Sequence, residues 1–321
     1  MRLLGVIGTM VWDTIRGESH PGWWVEEWGG ISYALAAADA VAPDRLRVRP
    51  ILKLGRDLAE RGFAFLRSLS IIETDQSVVI CDAPNPRVEL RYRGLERYCE
   101  RLRGDVLPWS WEELAAHVEG CDALYVNFIT GYEFDLEIAQ LLRRHFGGPI
   151  YADIHSLMLA RGPRGERTLR PLGRWDEWLA CFDIVQVNED ELRVLAADWG
   201  DPWAFAADAV GYGTELLLVT LGPGGAAYVM SESAPSRVGS RRSGATGSGL
   251  TRTGRISVES VRDGDPTGCG DVWGMTACLG LIQGLDVEAA IRRATRLAGA
   301  NVSYRGTSGL SLYLRSEIGV G

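Results

Sequence analysis

Short, almost wholly apolar runs alternate with amphipathic stretches along most of this chain of 321 residues. Leu3–Ile7, Val48–Leu54, Ala123–Phe128, Ile150–Ile154, Ile184–Val187 and Leu216–Thr220 read as strands buried on both faces, because apolar residues predominate in each without strict alternation. Helical spacing fills the intervals at Ile31–Ala42, Leu58–Leu69, Trp111–Val118, Leu136–Phe146, Glu189–Ala197 and Pro202–Val210. Strand–helix alternation of this kind predicts an α/β fold with a central, mostly parallel sheet covered by helices on both faces.

Three stretches depart from that rhythm. Residues 14–30 carry Trp23, Trp24 and Trp28, and residues 76–100 alternate apolar and polar side chains at the period of a half-exposed sheet. Together they suggest a small β-sheet lid or a dimer surface, with ordinary edge strands as the alternative. Residues 231–254 are rich in Ser, Gly and Arg and nearly free of large apolar side chains, which predicts a flexible loop between two strands.

Composition narrows the function classes. A hydrophobic fraction of 46% and a charged fraction of 24% suit a globular protein with a large core. The net charge of −8 argues against nucleic acid and against an anionic membrane surface as partners. Lys53 is the only lysine, so no GxxxxGK[ST] phosphate loop exists. Six scattered cysteines form no CxxC pair, which disfavours a metal or disulfide framework and fits a reducing, cytoplasmic setting. The opening "MRLLGVIGTMVWD" reads as a first strand rather than a signal peptide. No GxGxxG follows that strand, which removes a dinucleotide-binding enzyme. No apolar segment approaches the ~20 residues that span a bilayer.

The densest chemistry lies at Asp263–Gly274, "DGDPTGCGDVWG", just before an apolar helix. Glycines ahead of a helix let backbone N–H groups turn outward, and the helix dipole adds partial positive charge. Gly268, Cys269 and Gly270 thus form a candidate anion hole, suited to charge that grows during reaction. Asp271 at the helix start is a candidate base toward a hydroxyl beside that anion, or simply a helix cap. A nucleophilic Cys269 has no supporting neighbour in the sequence.

Asp265-Pro266-Thr267-Gly268-Cys269-Gly270-Asp271 resembles the signature of the ribokinase-like (PfkB-type) carbohydrate kinases, with Cys269 for the usual Ala and Pro266 for a common Thr. Other positions follow in family order across essentially the whole chain. The resemblance implies a ribokinase-like domain over residues 1–321, with a lid from 14–30 and 76–100. On the donor side it implies that Asn188 and Glu191 of "VNEDEL" support a magnesium–phosphate network through water. It places Thr220, Gly222 and Gly225 of "VTLGPGG" along the nucleotide with Thr267, and Asn301 beside the adenine pocket. On the acceptor side it implies roles for Asp13, Gly29, Gly30, Asn127 and Asp153. The family often has Asn where Tyr33 and His155 stand.

The function so implied is ATP- and Mg²⁺-dependent transfer of the γ-phosphoryl group to a hydroxymethyl group of a sugar or nucleoside. Asp271 would be the base, the 268–270 amides the anion hole, and a homodimer could form through the lid. The alternative is a catalytically silent sensor of the same fold acting through a protein partner. Trp23, Trp24, Trp28, Tyr92, Arg93, Arg97 and Tyr98 suit a hydrophobic lid core or dimer contact better than direct contact with the acceptor, whose identity stays open.

Overall fold

The computed structural model describes residues 3–17, 24–74, 77–93, 96–104, 107–232, 250–258 and 264–318. The strands are β1 Leu3–Ile7, β2 Met10–Gly17, β3 Trp24–Gly30, β4 Arg47–Gly55, β5 Val78–Cys81, β6 Arg87–Arg93, β7 Glu96–Arg103, β8 Ala123–Asn127, β9 Ile150–Asp153, β10 Leu159–Arg161, β11 Arg167–Leu169, β12 Ile184–Asn188, β13 Leu216–Thr220, β14 Ala226–Ser231 and β15 Thr251–Ile256. The α-helices are α1 Ile31–Val41, α2 Ala59–Arg67, α3 Trp111–Val118, α4 Leu136–His145, α5 Trp175–Leu179, α6 Glu189–Leu195, α7 Pro202–Ala209, α8 Cys269–Ile282, α9 Val287–Asn301 and α10 Leu310–Ile318. No helix among the described residues is long and apolar enough to cross a membrane.

The main sheet runs β15-β14-β13-β12-β9-β8-β1-β4-β5. Pairing is parallel from β13 through β5, and β14 and β15 add antiparallel strands at one edge. Side chains that alternate along each strand feed two separate cores. Leu4, Val6, Ala123 and Tyr125 join one with α1, α8 and α9, whereas Ile7, Leu124 and Val126 join the other with α3 and α4. Helix α8 is buried from Val272 to Leu281, which explains why its sequence is apolar on every side.

The small second sheet has the order β3-β2-β6-β7. Val11, Ile15, Val88, Leu90 and Leu102 form its own apolar face. It starts at Met10, earlier than residue 14. Val78–Cys81, expected within the lid, instead pairs parallel with β4 at the edge of the main sheet. Its run of consecutive apolar residues lacks the alternation that the lid strands show. In the expected loop 231–254, residues 251–254 belong to β15 and pair with β14. Residues 233–249 of that stretch, and 18–23, 75–76 and 94–95 of the expected lid, lie outside the described residues. The short hairpin β10–β11, antiparallel and paired Leu159 to Leu169, was not legible in the sequence.

Candidate active site

At the C-terminal ends of β8, β9, β12 and β13 the sheet opens into a cavity of about 380 Å³, roofed by the small sheet and floored by the turn before α8. Open parallel sheets place ligands at this edge. Of the residues singled out in the sequence, Asp13, Gly30, Asn127, Asp153, Asn188, Glu191, Thr220, Gly222, Thr267, Gly268, Gly270 and Asp271 line it together. A second, more apolar cavity of about 320 Å³ adjoins it, lined by Gly225, Trp273, Thr295, Ala298, Gly299 and Val302 among others. Thr220, Gly222, Pro266 and Gly270 line both, so the two spaces meet at the signature turn.

Asp271 sits in the first turn of α8, where the helix dipole favours a carboxylate. Asn127, at the end of β8, donates its Nδ2 to Asp271 Oδ1 at 2.6 Å and so sets the plane of the carboxylate. The preceding Gly268 has φ +75°, a left-handed conformation that glycine adopts readily, and it lines the cavity. A Cβ at Gly268 would overlap the buried ring of Tyr33, so the two residues define each other's space.

Two sequence expectations need correction here. The Cys269 N–H donates to the Pro266 carbonyl at 3.1 Å, which closes the turn and occupies it. Cys269 lines the apolar cavity rather than the polar one, and burial pushes its thiol up to about 12. It is a neutral packing group, and the Gly268 and Gly270 amides are left as the anion-hole candidates. Asn301, expected at the adenine pocket, lies beneath the turn and lines neither cavity. It is completely buried and donates to the Thr267 carbonyl at 2.9 Å and to Cys269 Sγ at 3.4 Å. Its amide therefore supports the shape of the loop.

Thr267 is held by its own neighbours: its N–H and hydroxyl both donate to Asp265 Oδ1, at 2.9 and 2.6 Å. The hydroxyl also lies 3.1 Å from the Tyr92 hydroxyl of the small sheet, linking roof to floor. Gly29 stands behind Asp13 rather than in the cavity, and any Cβ there would overlap the Asp13 carboxylate. Gly30, with φ +60°, starts α1 without a side-chain cap.

On the other wall, Asn188 caps α6 in a reciprocal capping box: Glu191 N donates to Asn188 Oδ1 at 2.9 Å, and Asn188 N donates to Glu191 Oε2 at 2.8 Å. Glu191 Oε1 further contacts Asn188 Nδ2 and His155 Nδ1. With its oxygens already accepting from nitrogen donors, this carboxylate suits a hydrated cation held through water better than one bound directly. Among the described residues, no group of three His, Cys, Asp or Glu side chains is placed to ligate a metal.

Gln186 was missed, although a polar residue inside the apolar run "IVQVN" was a usable signal. It accepts from Tyr151 Oη at 2.7 Å and donates to Asp153 Oδ2 at 2.9 Å and to the Gly270 carbonyl at 3.2 Å. Burial, with repulsion from Glu191, pushes the Asp153 carboxyl up to about 8. An unfolded chain ionises this group near 3.8, so between those values the folded state keeps a proton that the unfolded state has lost. Stability should therefore fall as pH rises through that window. Asp153→Asn is expected to gain stability on the wild type from about pH 4 to about pH 8. Parallel melting curves for the two proteins across that range would contradict it.

Most of the tryptophan and arginine signal of the small sheet lies away from the cavity. Trp28 is buried edge-on against Trp12, Trp24 is exposed, and the Arg93 guanidinium stacks 5.3 Å from the exposed Tyr98 ring. Trp23 and the Arg97 side chain lie outside the described residues. Among the described residues of that set, Tyr92 reaches the cavity.

Comparison with known proteins agrees with the fold. Residues 161–312 match the pfkB family carbohydrate kinase. No curated protein sequence matches the chain. A pyrophosphate-dependent kinase in the ribokinase family, solved with a pyrophosphate analogue and myo-inositol, superposes with a TM-score of 0.74 at 17% identity, covering 99% of this chain and 100% of that one. A nucleoside kinase from Burkholderia thailandensis in complex with inosine gives 0.69 at 18% identity, covering 98% and 95%. Arabidopsis thaliana ribokinase complexed with ribose and ATP gives 0.66 at 16% identity, covering 97% and 98%. The chain therefore has the ribokinase-like fold along its length, and its residues 161–312 match the pfkB carbohydrate kinase family.

Proposed function

We propose that this protein transfers the terminal phosphoryl group of a nucleoside triphosphate, ATP in the first instance, to a hydroxyl of a sugar- or nucleoside-like acceptor. One observation carries the reading: two cavities of different chemistry meet at the turn that holds Gly268, Gly270 and Asp271. The polar one suits a hydroxyl-rich acceptor and the apolar one a flat base. A donor without a base, such as pyrophosphate, would leave the slot between Trp273, Ala298 and Gly299 without a purpose.

Phosphoryl transfer asks little covalent chemistry of the protein and much positioning. Asp271, oriented by Asn127, accepts the acceptor's proton late in the transfer, when an ordinary carboxylate is basic enough. The Gly268 and Gly270 amides face charge gathering on the moving group, aided by the N-terminus of α8. Asp13, seated against Gly29, orients acceptor hydroxyls. Asp13, Asp271 and Glu191 make the cavity acidic, so a polyphosphate needs a counter-charge there. Asn188 and Glu191 would hold Mg²⁺ through water, and the ion would neutralise phosphate oxygens.

The test is phosphoryl transfer from ATP, GTP and pyrophosphate to a panel of sugars, polyols and nucleosides. A targeted variant sharpens it. Gly299 lines the apolar slot, and nothing lies within 4 Å of the Cβ it lacks. Gly299→Leu should fill the slot while favouring helix α9 by ~1 kcal/mol. We expect the KM for ATP to rise about tenfold, with the acceptor KM and melting temperature maintained. An unchanged KM for ATP would place the base elsewhere, and efficient pyrophosphate use would overturn the nucleotide donor.

A further inference from the structure

Arg167 and Glu100 drew no attention in the sequence, yet both line the acceptor end of the polar cavity. Arg167 comes from β11 of the short hairpin and Glu100 from β7 of the small sheet. Their side chains are only 3% and 10% exposed, with Nη1 and Oε1 3.0 Å apart. The guanidinium also donates to the carbonyls of Ile129 at 2.8 Å and Thr130 at 3.3 Å, in the segment that continues β8 beyond Asn127. Their geometry is braced by the backbone: Leu102 N donates to the Gly165 carbonyl at 2.8 Å, and the main chains of Arg101 and Glu166 pair as a short antiparallel β-bridge. A Cβ on Gly165 would overlap the Leu102 carbonyl, so the hairpin tip fits closely against β7.

A desolvated ion pair is a poor way to gain stability but a firm way to fix position and charge. Elsewhere around the acceptor end the cavity carries Asp13 and Asp271, both acidic. The guanidinium there would attract an anionic acceptor were its charge not matched by Glu100. Resting on the kinase reading above, we propose that the Glu100–Arg167 pair is the specificity device of this pocket: it holds the small sheet over the acceptor and, by cancelling the guanidinium charge, selects uncharged acceptors over phosphorylated or carboxylated ones.

The test compares wild type, Glu100→Gln and the double variant Glu100→Gln/Arg167→Gln. The neutral probes are D-ribose, D-fructose, myo-inositol and inosine, and the anionic probes are D-gluconate and D-fructose 6-phosphate. Glu100→Gln removes the carboxylate paired with the Arg167 guanidinium, and the ratio of anionic to neutral kcat/KM should rise about tenfold or more. The double variant, with both charges removed, should return the ratio toward the wild-type value. A ratio that stays constant across all three proteins overturns the proposal, as does an equal rise in the double variant.

Two readouts stand apart from turnover. D-gluconate should raise the melting temperature of Glu100→Gln and not that of the wild type. The Leu102 amide should be protected from hydrogen exchange in the wild type and lose protection in Glu100→Gln. Should Glu100→Gln fail to fold, Arg167→Gln must show the same loss of Leu102 protection, and retained protection there overturns the proposal. A wild type that phosphorylates none of the probes counts against the kinase reading alone, because the binding and exchange results still judge the pair.

Discussion

Asp271→Asn is expected to reduce turnover by about 10²–10⁴-fold, the range of a positioned general base, while changing donor and acceptor binding only a few-fold. The substitution keeps size and keeps an oxygen for Asn127 Nδ2, now 2.6 Å from Oδ1, so the fold has little reason to shift. What it removes is the site's capacity to take a proton from the acceptor hydroxyl. Single-turnover kinetics with titration calorimetry for each ligand separate the two effects. Turnover within a few-fold of wild type would dismiss Asp271 as the base. Loss of turnover with equal loss of binding would make it a positioning group instead.

Gly268→Ala should be nearly as damaging for a steric reason. The left-handed φ of +75° costs an L-residue about 1–2 kcal/mol, and the new methyl would run into the Tyr33 ring, itself only 2% exposed. The turn must then swing its amide away from the moving group, with an expected loss of roughly 10²–10³-fold in kcat, as when one oxyanion-hole donor is removed. Tyr33→Leu in the same chain relieves the overlap and leaves the φ penalty, so partial recovery is expected. No recovery in the double variant would mean that backbone conformation alone, not Tyr33, shapes the turn.

Tyr33 shows how a departure from the family pattern reads differently once folded. In sequence it stands where the family often has Asn. In the structure its ring packs under Gly268, and burial together with Asp13 and Asp265 pushes its phenol well above the ordinary value, so it stays neutral. His155, the other departure, contacts the buried Glu191. Cys269 and Asn301 moved the opposite way, from expected ligand contacts to supports of the turn, because the Cys269 N–H is bonded to Pro266 and the Asn301 amide nitrogen to Thr267 and Cys269.

The sequence by itself determined the strand–helix alternation and the signature turn before α8. These depend on side-chain periodicity, glycine freedom and contacts within a few residues, all of which are local. It also named most residues that meet in the polar cavity, since strand ends in a parallel sheet converge at one edge. Only the tertiary structure decided that Val78–Cys81 joins the main sheet, that Cys269 and Asn301 face inward, and that Glu100 meets Arg167 beside the polar cavity. Each of these is set by packing between elements distant along the chain, such as the small sheet and a hairpin that no local pattern announced. A charge pair formed between such elements leaves no trace in the spacing of either partner.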